Sequence, residues 1–296
     1  MLEETCQKIL DCAKISGADQ ADVMAVHGTS ISIEVRKQAL EQIERSDGIE
    51  FGLRVFKGKR QAIVSGSDLS EASIKLMTER AVDMAKAAPE DPYCGLAKKS
   101  ELVAAWDVDE LELSDDQAEP QPEELENQAK EAEYFALENQ SVDQVQSASS
   151  AYSKTKIHLS ATNGFNGGYS KTSFSTSCVA IARSQSGLER DYDGDVRIFK
   201  RDLRSPAEIG IRAAKRAVSK LEARKPKTGV YPVIFDERVS SSLIGHLLAA
   251  TNGVAVAKGS SWLLNRKGTQ VLPEFLSITE DPYRKRASGS RPFDAE

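Results

Sequence analysis

Hydrophobic residues near the start of the chain repeat with the spacing of a helix. Cys6, Ile9, Leu10 and Ala13 fall on one side of that helix, and Gly17 follows as a stop signal. The same spacing recurs in four later segments of the sequence. These further helices are expected to open at Asp68, at Pro120 and Pro122, and at Ser205, with a last one around His246.

Between these segments the period changes to two. Ile31, Ile33 and Val35 alternate with polar residues, and a serine- and threonine-rich alternation covers residues 142–199. Successive side chains of a strand point to opposite faces, so each alternating set lies on one face of a sheet. The pattern predicts antiparallel strands, with one face of the later sheet wet or lining a cavity.

Glycine-containing dipeptides mark the expected turns between strands. The expected hairpin turns are Asp47-Gly48, Gly58, Asn163-Gly164, Gly167-Gly168, Ser186-Gly187 and Asp193-Gly194. Val233-Ile234-Phe235 is interpreted as a short buried strand that leads into the His246 helix.

These elements together predict the α+β class, with antiparallel sheets and packed helices. Residues 1–225 are expected to form an N-terminal domain with two sheet segments. Residues 226–296 are expected to begin a second, β-rich domain that is incomplete in this sequence.

The composition of the chain argues against a nucleic-acid-binding, a membrane-spanning and a disulfide-bonded protein. The chain has 296 residues and a net charge of −6, so no overall basic field favours nucleic acid. No apolar run approaches the roughly 20 residues that span a bilayer, and no signal peptide is visible at the start. The four cysteines include no CxxC pair, which favours free thiols in a reducing cytoplasm.

Catalytic chemistry is weakly indicated by the residues themselves. A zinc-peptidase helix needs two histidines one turn apart and a glutamate base, whereas the His246 helix carries one histidine, and His27 and His158 lie in strand-like sequence. We therefore expect no metal site from this chain alone. Cys178 with His158 is the least improbable nucleophile pair, but no local motif supports it.

An ordered set of short motifs resembles the TldD/PmbA family, and within it the PmbA (TldE) branch. The resemblance covers nearly the whole chain. It rests on Ser46 to Val55, Asn163-Gly164-Phe165, Tyr169 to Ser173, Asp191 to Asp193, Ser205 to Gly210, Lys225 to Gly229, Tyr231 to Asp236, the His246 helix with Gly253, Gly259-Ser260-Ser261, Asp281-Pro282 and Gly289 to Asp294.

The resemblance implies a subunit of a cytosolic metalloprotease that processes or degrades unfolded peptides. In the family, TldD carries an HExxxH zinc helix and PmbA completes a closed chamber with it. The family is associated with maturing a peptide antibiotic that targets DNA gyrase. Here the motif is degenerate, because His246, Leu247 and Thr251 stand in the positions of its histidine, glutamate and second histidine.

The resemblance therefore implies a non-catalytic chain without a cofactor, with zinc expected in a TldD-like catalytic partner. It also implies that residues 226–296 begin the C-terminal metalloprotease-like domain and that the sequence is truncated. Expected partners are that subunit and unfolded peptides, with a homodimer as an option, and neither nucleic acid nor membrane.

Candidate peptide-binding residues on the wet sheet are Asn163, Gly164, Thr172 and Ser173. Two alternatives stay open at this point. One is a stand-alone peptide-binding modulator without cleavage, and the other is an active peptidase that uses an unrecognised site.

Overall fold

The computed structural model describes residues 1–103, 107–185 and 187–294. The chain divides into two compact units. The first comprises Met1–Ala223 with Asp281–Glu296, and the second comprises Arg224–Glu280.

The first unit combines one antiparallel sheet with four helices, which confirms the predicted α+β class. Its helices are α1 (Leu2–Ile15), α2 (Glu71–Ala87), α3 (Pro122–Leu137) and α4 (Pro206–Ser219). Its strands are β1 (Gln20–Arg36), β2 (Ala39–Lys57), β3 (Arg60–Gly66), β4 (Val142–Ala161), β5 (Asn166–Ser184) and β6 (Gly187–Arg197), in the spatial order β3-β2-β1-β4-β5-β6. The two predicted sheet segments are one sheet, because β1 pairs with β4.

All four helices cover the same face of this sheet, which we call the helix face. The odd-numbered residues of β1 show this. Val23 belongs to a core with α1 and α2, whereas Ile33 belongs to a core with α3 and α4. Residues an even number of positions apart on a strand share a face, so both cores lie on one side. The opposite side is called the open face, and the even-numbered residues of β1 belong to it.

Helices α3 and α4 pack closely because small residues line their contact. A Cβ atom added at Gly210 would lie 2.1 Å from the carbonyl oxygen of Ala132. Ala213 and Ala217 of α4 are fully buried in the same core. The predicted starts of both helices are confirmed. Pro122 opens α3, and the Ser205 hydroxyl caps α4 by accepting a bond of 3.2 Å from the Glu208 N–H.

The β1–β2 hairpin turns at Lys37-Gln38, and the predicted turn at Asp47-Gly48 is wrong. Both turn residues have left-handed φ angles, 55° and 57°. The buried Glu133 carboxylate of α3 accepts their N–H groups at 2.7 and 2.6 Å, so a distant side chain stabilises a turn that lacks glycine. Asp47 and Gly48 instead pair with β1 in mid-strand.

The other predicted turns divide by the role of their glycine. Gly58 and Gly164 lie in turns with left-handed φ angles of 59° and 99°, as expected. The turns predicted at Gly167-Gly168 and Asp193-Gly194 are wrong, since these residues lie inside β5 and β6. A Cβ atom at Gly168 would meet the His158 ring at 2.7 Å, so glycine permits a close approach there. Gly187 begins β6, and Ser186 lies outside the described residues.

Helix α2 begins later than predicted. Asp68 accepts the N–H of Ser70 at 2.9 Å, and it is Ser70 that caps the helix by accepting from the N–H of Ser73. Asp68 therefore organises the approach to the helix and is not its cap.

The second unit contains α5 (Glu237–Thr251) and α6 (Gly253–Ala257). The strand predicted at Val233-Ile234-Phe235 is wrong, because this segment has no strand pairing and Ile234 is 96% exposed. Helix α5 buries Ala250, whose carbonyl oxygen accepts a bond of 2.5 Å from the Ser261 hydroxyl. Over the residues that the structure describes, no helix is long and apolar enough to cross a membrane.

Candidate functional site

A row of four serines crosses the open face of the sheet. Ser46 of β2 lies opposite Ser30 of β1, Ser30 lies opposite Ser153 of β4, and Ser153 lies opposite Ser173 of β5. Neighbouring strands are about 4.8 Å apart, so the row is about 14 Å long. We call these residues the serine row. Each hydroxyl can donate one hydrogen bond and accept two, which suits the polar backbone of another chain.

Small side chains continue on both sides of the serine row. The next row along the strands has three small residues, Gly48, Gly28 and Thr155, and ends at Lys171 on β5. On the other side, Ser149 and Ser177 lie opposite each other, with their hydroxyls 2.9 Å apart. These residues leave a shallow, open surface of hydroxyls and exposed backbone.

A cavity of about 300 Å³ lies over this surface. Its lining includes Gly28, Ser30, Ser46, Gly48, Ser153 and Thr155. The cavity is therefore walled by hydroxyl groups and backbone from three adjacent strands, with Val26 as an apolar wall. Such a lining offers hydrogen bonds without large side-chain pockets that would select particular residues of a ligand.

The charge on the open face changes from one side to the other. Glu44 and Glu50 of β2 are exposed and share the open face with their partners on β1. Lys171 lies on β5, where its ammonium donates to the Ser288 carbonyl. Burial, with a smaller contribution from nearby Arg291, lowers the pKa of Lys171 below its ordinary value. The serine row thus lies between an acidic and a basic margin.

The four predicted peptide-binding residues lie in three places: the β4–β5 turn, the helix face and the open face. Asn163 and Gly164 form the β4–β5 turn, where the Asn163 amide donates to the Ala97 carbonyl at 3.0 Å. Thr172 faces the helix side and is 1% exposed. Its hydroxyl donates to the Ile198 carbonyl and accepts the Asp115 N–H, both at 2.8 Å. Of the four, only Ser173 lies in the serine row.

The degenerate zinc motif lies on helix α5. His246 and Thr251 are exposed, and the Thr251 hydroxyl donates to the Leu248 carbonyl of the same helix at 2.9 Å. Leu247 offers no donor atom for a metal. In the described part of the chain, no three histidine, cysteine or acidic side chains gather as a metal would require. The donor set at His246 therefore does not fit zinc.

Cys178 and His158 are not neighbours. Cys178 of β5 lies opposite Ala148 of β4, ten positions along the strand from His158. Ten residues of strand measure about 33 Å. Burial, with smaller effects of Glu133 and Asp193, raises the pKa of the Cys178 thiol to about 12. The thiol is neutral near pH 7, so this candidate pair does not form a nucleophile site.

The serine row was not identified from the sequence. Its four residues come from four strands that span positions 30 to 173, and a row depends on register. The available signal was the serine- and threonine-rich alternation, which indicates a polar face but not which residues meet.

Comparisons with known proteins give one consistent family. Profiles of the PmbA/TldA metallopeptidase match in three consecutive parts: domain 1 over residues 21–85, the central domain over residues 115–221 and the C-terminal domain over residues 228–296. The serine row draws on the first two of these parts.

Two curated relatives match the full chain. Metalloprotease PmbA of Escherichia coli O157:H7 is 33% identical over 298 residues, and the PmbA homologue of Haemophilus influenzae is 32% identical over 297 residues. Each alignment covers 100% of this chain and 65% of the relative, so the chain spans about two thirds of their length.

Solved structures share the fold. A candidate modulator of DNA gyrase from Bacteroides thetaiotaomicron superposes with a TM-score of 0.91 at 24% identity, covering 99% of this chain and 66% of that one. TldE from Thermococcus kodakarensis superposes with a TM-score of 0.65 at 16% identity, covering 88% of this chain and 58% of that one.

Proposed function

This chain belongs to the PmbA/TldD metallopeptidase family, and from that premise we propose that it is a non-catalytic, PmbA/TldE-like subunit of a cytoplasmic peptidase. In this proposal it holds unfolded peptides on the open face. A TldD-like subunit supplies the zinc and the cleavage chemistry, and the two subunits together enclose the substrate.

The serine row is the observation that carries the peptide-binding half of the proposal. Four aligned hydroxyls and adjacent glycines present hydrogen-bonding groups on a surface with few large side chains. A folded protein satisfies its backbone groups internally, whereas an unfolded peptide offers them along its length. This surface therefore favours extended chains with little choice of sequence.

The α5 helix supports the non-catalytic half. A hydrolytic zinc site needs several nitrogen or oxygen ligands and a base beside the bound water. Leu247 has neither property, and the Thr251 hydroxyl donates within its own helix. His246 alone would leave most of the ion's coordination to other groups.

The domain organisation is proposed on the same basis. We propose that residues 1–225 form the peptide-holding domain and that residues 226–296 begin the C-terminal metalloprotease-like domain, whose profile matches residues 228–296. The compact units differ from this division in one respect, since Asp281–Glu296 belongs to the first unit. Four free cysteines, of which Cys6, Cys94 and Cys178 are buried, suit the reducing cytoplasm that we propose as its location.

Fluorescence anisotropy with a labelled, unstructured peptide tests the proposal. The peptide is titrated with the chain alone and with the chain plus a TldD-like subunit that carries HExxxH. We expect binding to the chain, and cleavage only when the second subunit and zinc are present. Ser153→Trp places an indole in the middle of the serine row and should weaken binding at least about tenfold, since it covers the hydroxyls on both sides.

Ser219→Trp is the matched control, because Ser219 is exposed at the end of α4, which covers the opposite face of the sheet. Equal loss of affinity in both variants would contradict the assignment of the open face. Binding without any association with the second subunit would favour a stand-alone peptide-binding modulator. Cleavage by the isolated chain that His246→Ala abolishes would overturn the non-catalytic role.

A further inference from the structure

A second cavity, of about 350 Å³, lies on the open face near the end of the sheet where β1 begins. Its floor is formed by Asp22 of β1 and Arg54 of β2, which lie opposite each other. Asp22 is an even number of positions from Ser30 of the serine row, so both belong to the open face. Residues of the loop 91–103 form the other side of the cavity. We call this cavity the loop pocket.

The loop is anchored over the open face at two points. The Leu96 N–H donates to the side-chain oxygen of Gln20 at 3.2 Å, and the Asn163 amide donates to the Ala97 carbonyl at 3.0 Å. These bonds come from β1 and from the β4–β5 turn, so they fix the roof of the loop pocket to the sheet below it. Asn163 also lines the loop pocket, which places one predicted peptide-binding residue in a cavity of the open face.

Three aromatic side chains, those of Tyr93, Phe165 and Phe293, line the loop pocket. The rings of Phe165 and Phe293 are 5.0 Å apart and meet edge to face. The face of an aromatic ring carries partial negative charge and attracts a cation. A planar guanidinium can also stack on such a ring, which favours it over a compact ammonium. The wall therefore suits a cationic ligand, and a guanidinium in particular.

The charge of the lining has the sign that such a ligand requires. Among the described residues that line the loop pocket, four are acidic and one is basic: Asp22, Asp91, Glu101 and Asp294, and Arg54. The Arg54 Nε donates to both carboxylate oxygens of Asp22, at 3.2 and 3.0 Å, so these two charges offset each other in the floor. Negative charge is then in excess, and a cavity with low-dielectric walls focuses its field on a ligand.

We propose that the loop pocket takes a basic side chain of the bound peptide, with arginine preferred over lysine. This inference rests on the proposed function, because it names the part of an unfolded chain that the open face selects. The guanidinium stacks on the aromatic wall and faces the carboxylates of Asp91 and Glu101. The serine row binds any extended backbone, and the loop pocket adds a preference at one position of the sequence.

The spacing of the two cavities on the open face fits one extended peptide. Asp22 lines the loop pocket, and Val26 lines the cavity over the serine row. The two residues are four positions apart on β1, which corresponds to about 13 Å. An extended peptide covers that distance in roughly four residues. One peptide can therefore bond to the serine row through its backbone while a single side chain enters the loop pocket.

Citrulline gives a sharp test, because it has the shape of arginine but carries a neutral urea in place of the guanidinium. Two labelled, unstructured peptides are compared that differ only in one central residue, arginine or citrulline. Fluorescence anisotropy with the full chain should show about tenfold tighter binding of the arginine peptide. A lysine peptide should lie between the two.

The double variant Asp91→Asn with Glu101→Gln removes two charges from the loop pocket and keeps the shapes of the side chains. Both side chains keep the oxygen that accepts a backbone N–H of the loop. The preference for arginine over citrulline should fall to about twofold. Asp83→Asn with Glu79→Gln is the matched control, since both acids are exposed on α2, on the other side of the sheet. It changes the net charge equally and should keep the full preference.

Two further measurements separate this inference from the proposed function. Ser153→Trp should weaken binding of the arginine and citrulline peptides by the same factor, because it covers the serine row and not the loop pocket. Nα-acetyl-argininamide is a single residue, too short to reach from the loop pocket to the serine row. Isothermal titration calorimetry should show that it binds more tightly than its citrulline counterpart.

Equal affinity for the arginine and citrulline peptides would overturn the loop pocket as a site for basic side chains, even where Ser153→Trp weakens both and the proposed function stands. So would a preference that survives the loss of Asp91 and Glu101, or one that falls equally in the α2 control. If no peptide binds, the proposed function fails, and the two single-residue derivatives still decide whether the loop pocket selects the cation.

Discussion

The helix face and the open face are formed by the same strands, yet their chemistry differs. The helix face buries an apolar core under four helices, and in the described residues no buried side-chain nitrogen or oxygen lacks a hydrogen-bond partner. The open face carries hydroxyls and glycines at the alternate positions. Because one face supplies the packing, the other is free to present groups for a ligand. Substitutions on the two faces should therefore separate stability from binding.

The largest effect is expected at Asp193, which anchors α4 to the helix face. Its carboxylate is 3% exposed and contacts Arg204 at 2.7 Å, Arg212 at 3.7 Å and Arg216. Asp193→Ala leaves these guanidinium groups without their shared counter-ion. The arginines are partly exposed and Arg204 keeps Asp195 and Glu208, so the loss comes from the charge-assisted contacts that are removed. We expect a loss of about 3 kcal/mol in the free energy of unfolding, measured by urea denaturation.

Glu50→Ala provides the matched loss of a carboxylate on the open face. Glu50 is exposed on β2, so the free energy of unfolding should change by no more than about 0.5 kcal/mol. A similar loss in both variants would mean that stability is not concentrated on the helix face.

The sequence predicted individual elements better than their pairing. The spacing of apolar residues located α1, α3, α4 and α5, because helical periodicity and capping are local. The hairpin between β1 and β2 was misplaced, since an Asp-Gly pair is the stronger local signal. Its actual turn at Lys37-Gln38 depends on Glu133, which lies 96 positions from Lys37.

Because the β1–β2 turn was misplaced, the serine row could not be predicted either. Ser46 lies opposite Ser30 only when the hairpin turns at Lys37-Gln38, and a turn at Asp47-Gly48 would have removed Ser46 from the row. Thr172 illustrates a second limit. Alternation cannot tell which face of a polar strand is buried, and here the helix-face hydroxyl of Thr172 binds backbone groups of two loops. Register and burial are tertiary properties, which local propensity does not determine.

A loss of stability smaller than that at Asp193 is expected when a threonine of the helix face is replaced by valine. The same replacement on the open face serves as its control. Thr172→Val removes a buried hydroxyl that bonds Ile198 and Asp115, so the Asp115 N–H loses its acceptor. We expect a loss of about 1–3 kcal/mol in the free energy of unfolding. Thr155→Val, on the open face, should change it by less than about 0.5 kcal/mol. Urea denaturation measures both variants.

For peptide affinity, we expect Thr155→Val to have a larger effect than Thr172→Val, the reverse of their order for stability. Thr155 lines the cavity over the open face, so its valine variant should bind the labelled peptide more weakly while keeping its stability. A Thr172→Val variant that keeps full stability but loses peptide binding would break the comparison between the faces.

The smallest expected effect is on the reactivity and ionisation of a thiol. It compares Ser177 and Cys178, which are adjacent on β5 and lie on opposite faces. Cys178 is fully buried on the helix face, and burial raises its pKa from an ordinary value near 9 to about 12. Native protein at pH 8 should therefore not be alkylated at Cys178. The double variant Ser177→Cys with Cys178→Ser moves the thiol to the open face, where iodoacetamide should modify it. Peptide mass mapping after alkylation locates the modified residue.

The raised pKa also fixes the sign of a pH effect. Above about pH 9 the unfolded chain releases the Cys178 proton while the folded chain retains it, so ionisation favours unfolding as pH rises. For a folded value near 12 and an ordinary value near 9, the thiol's contribution falls by about 1 kcal/mol between pH 7 and pH 10. The difference in unfolding free energy between the natural chain and Cys178→Ala should shrink by that amount. A difference independent of pH, or alkylation of native Cys178 at pH 8, would show that the helix face admits water at the centre of its core.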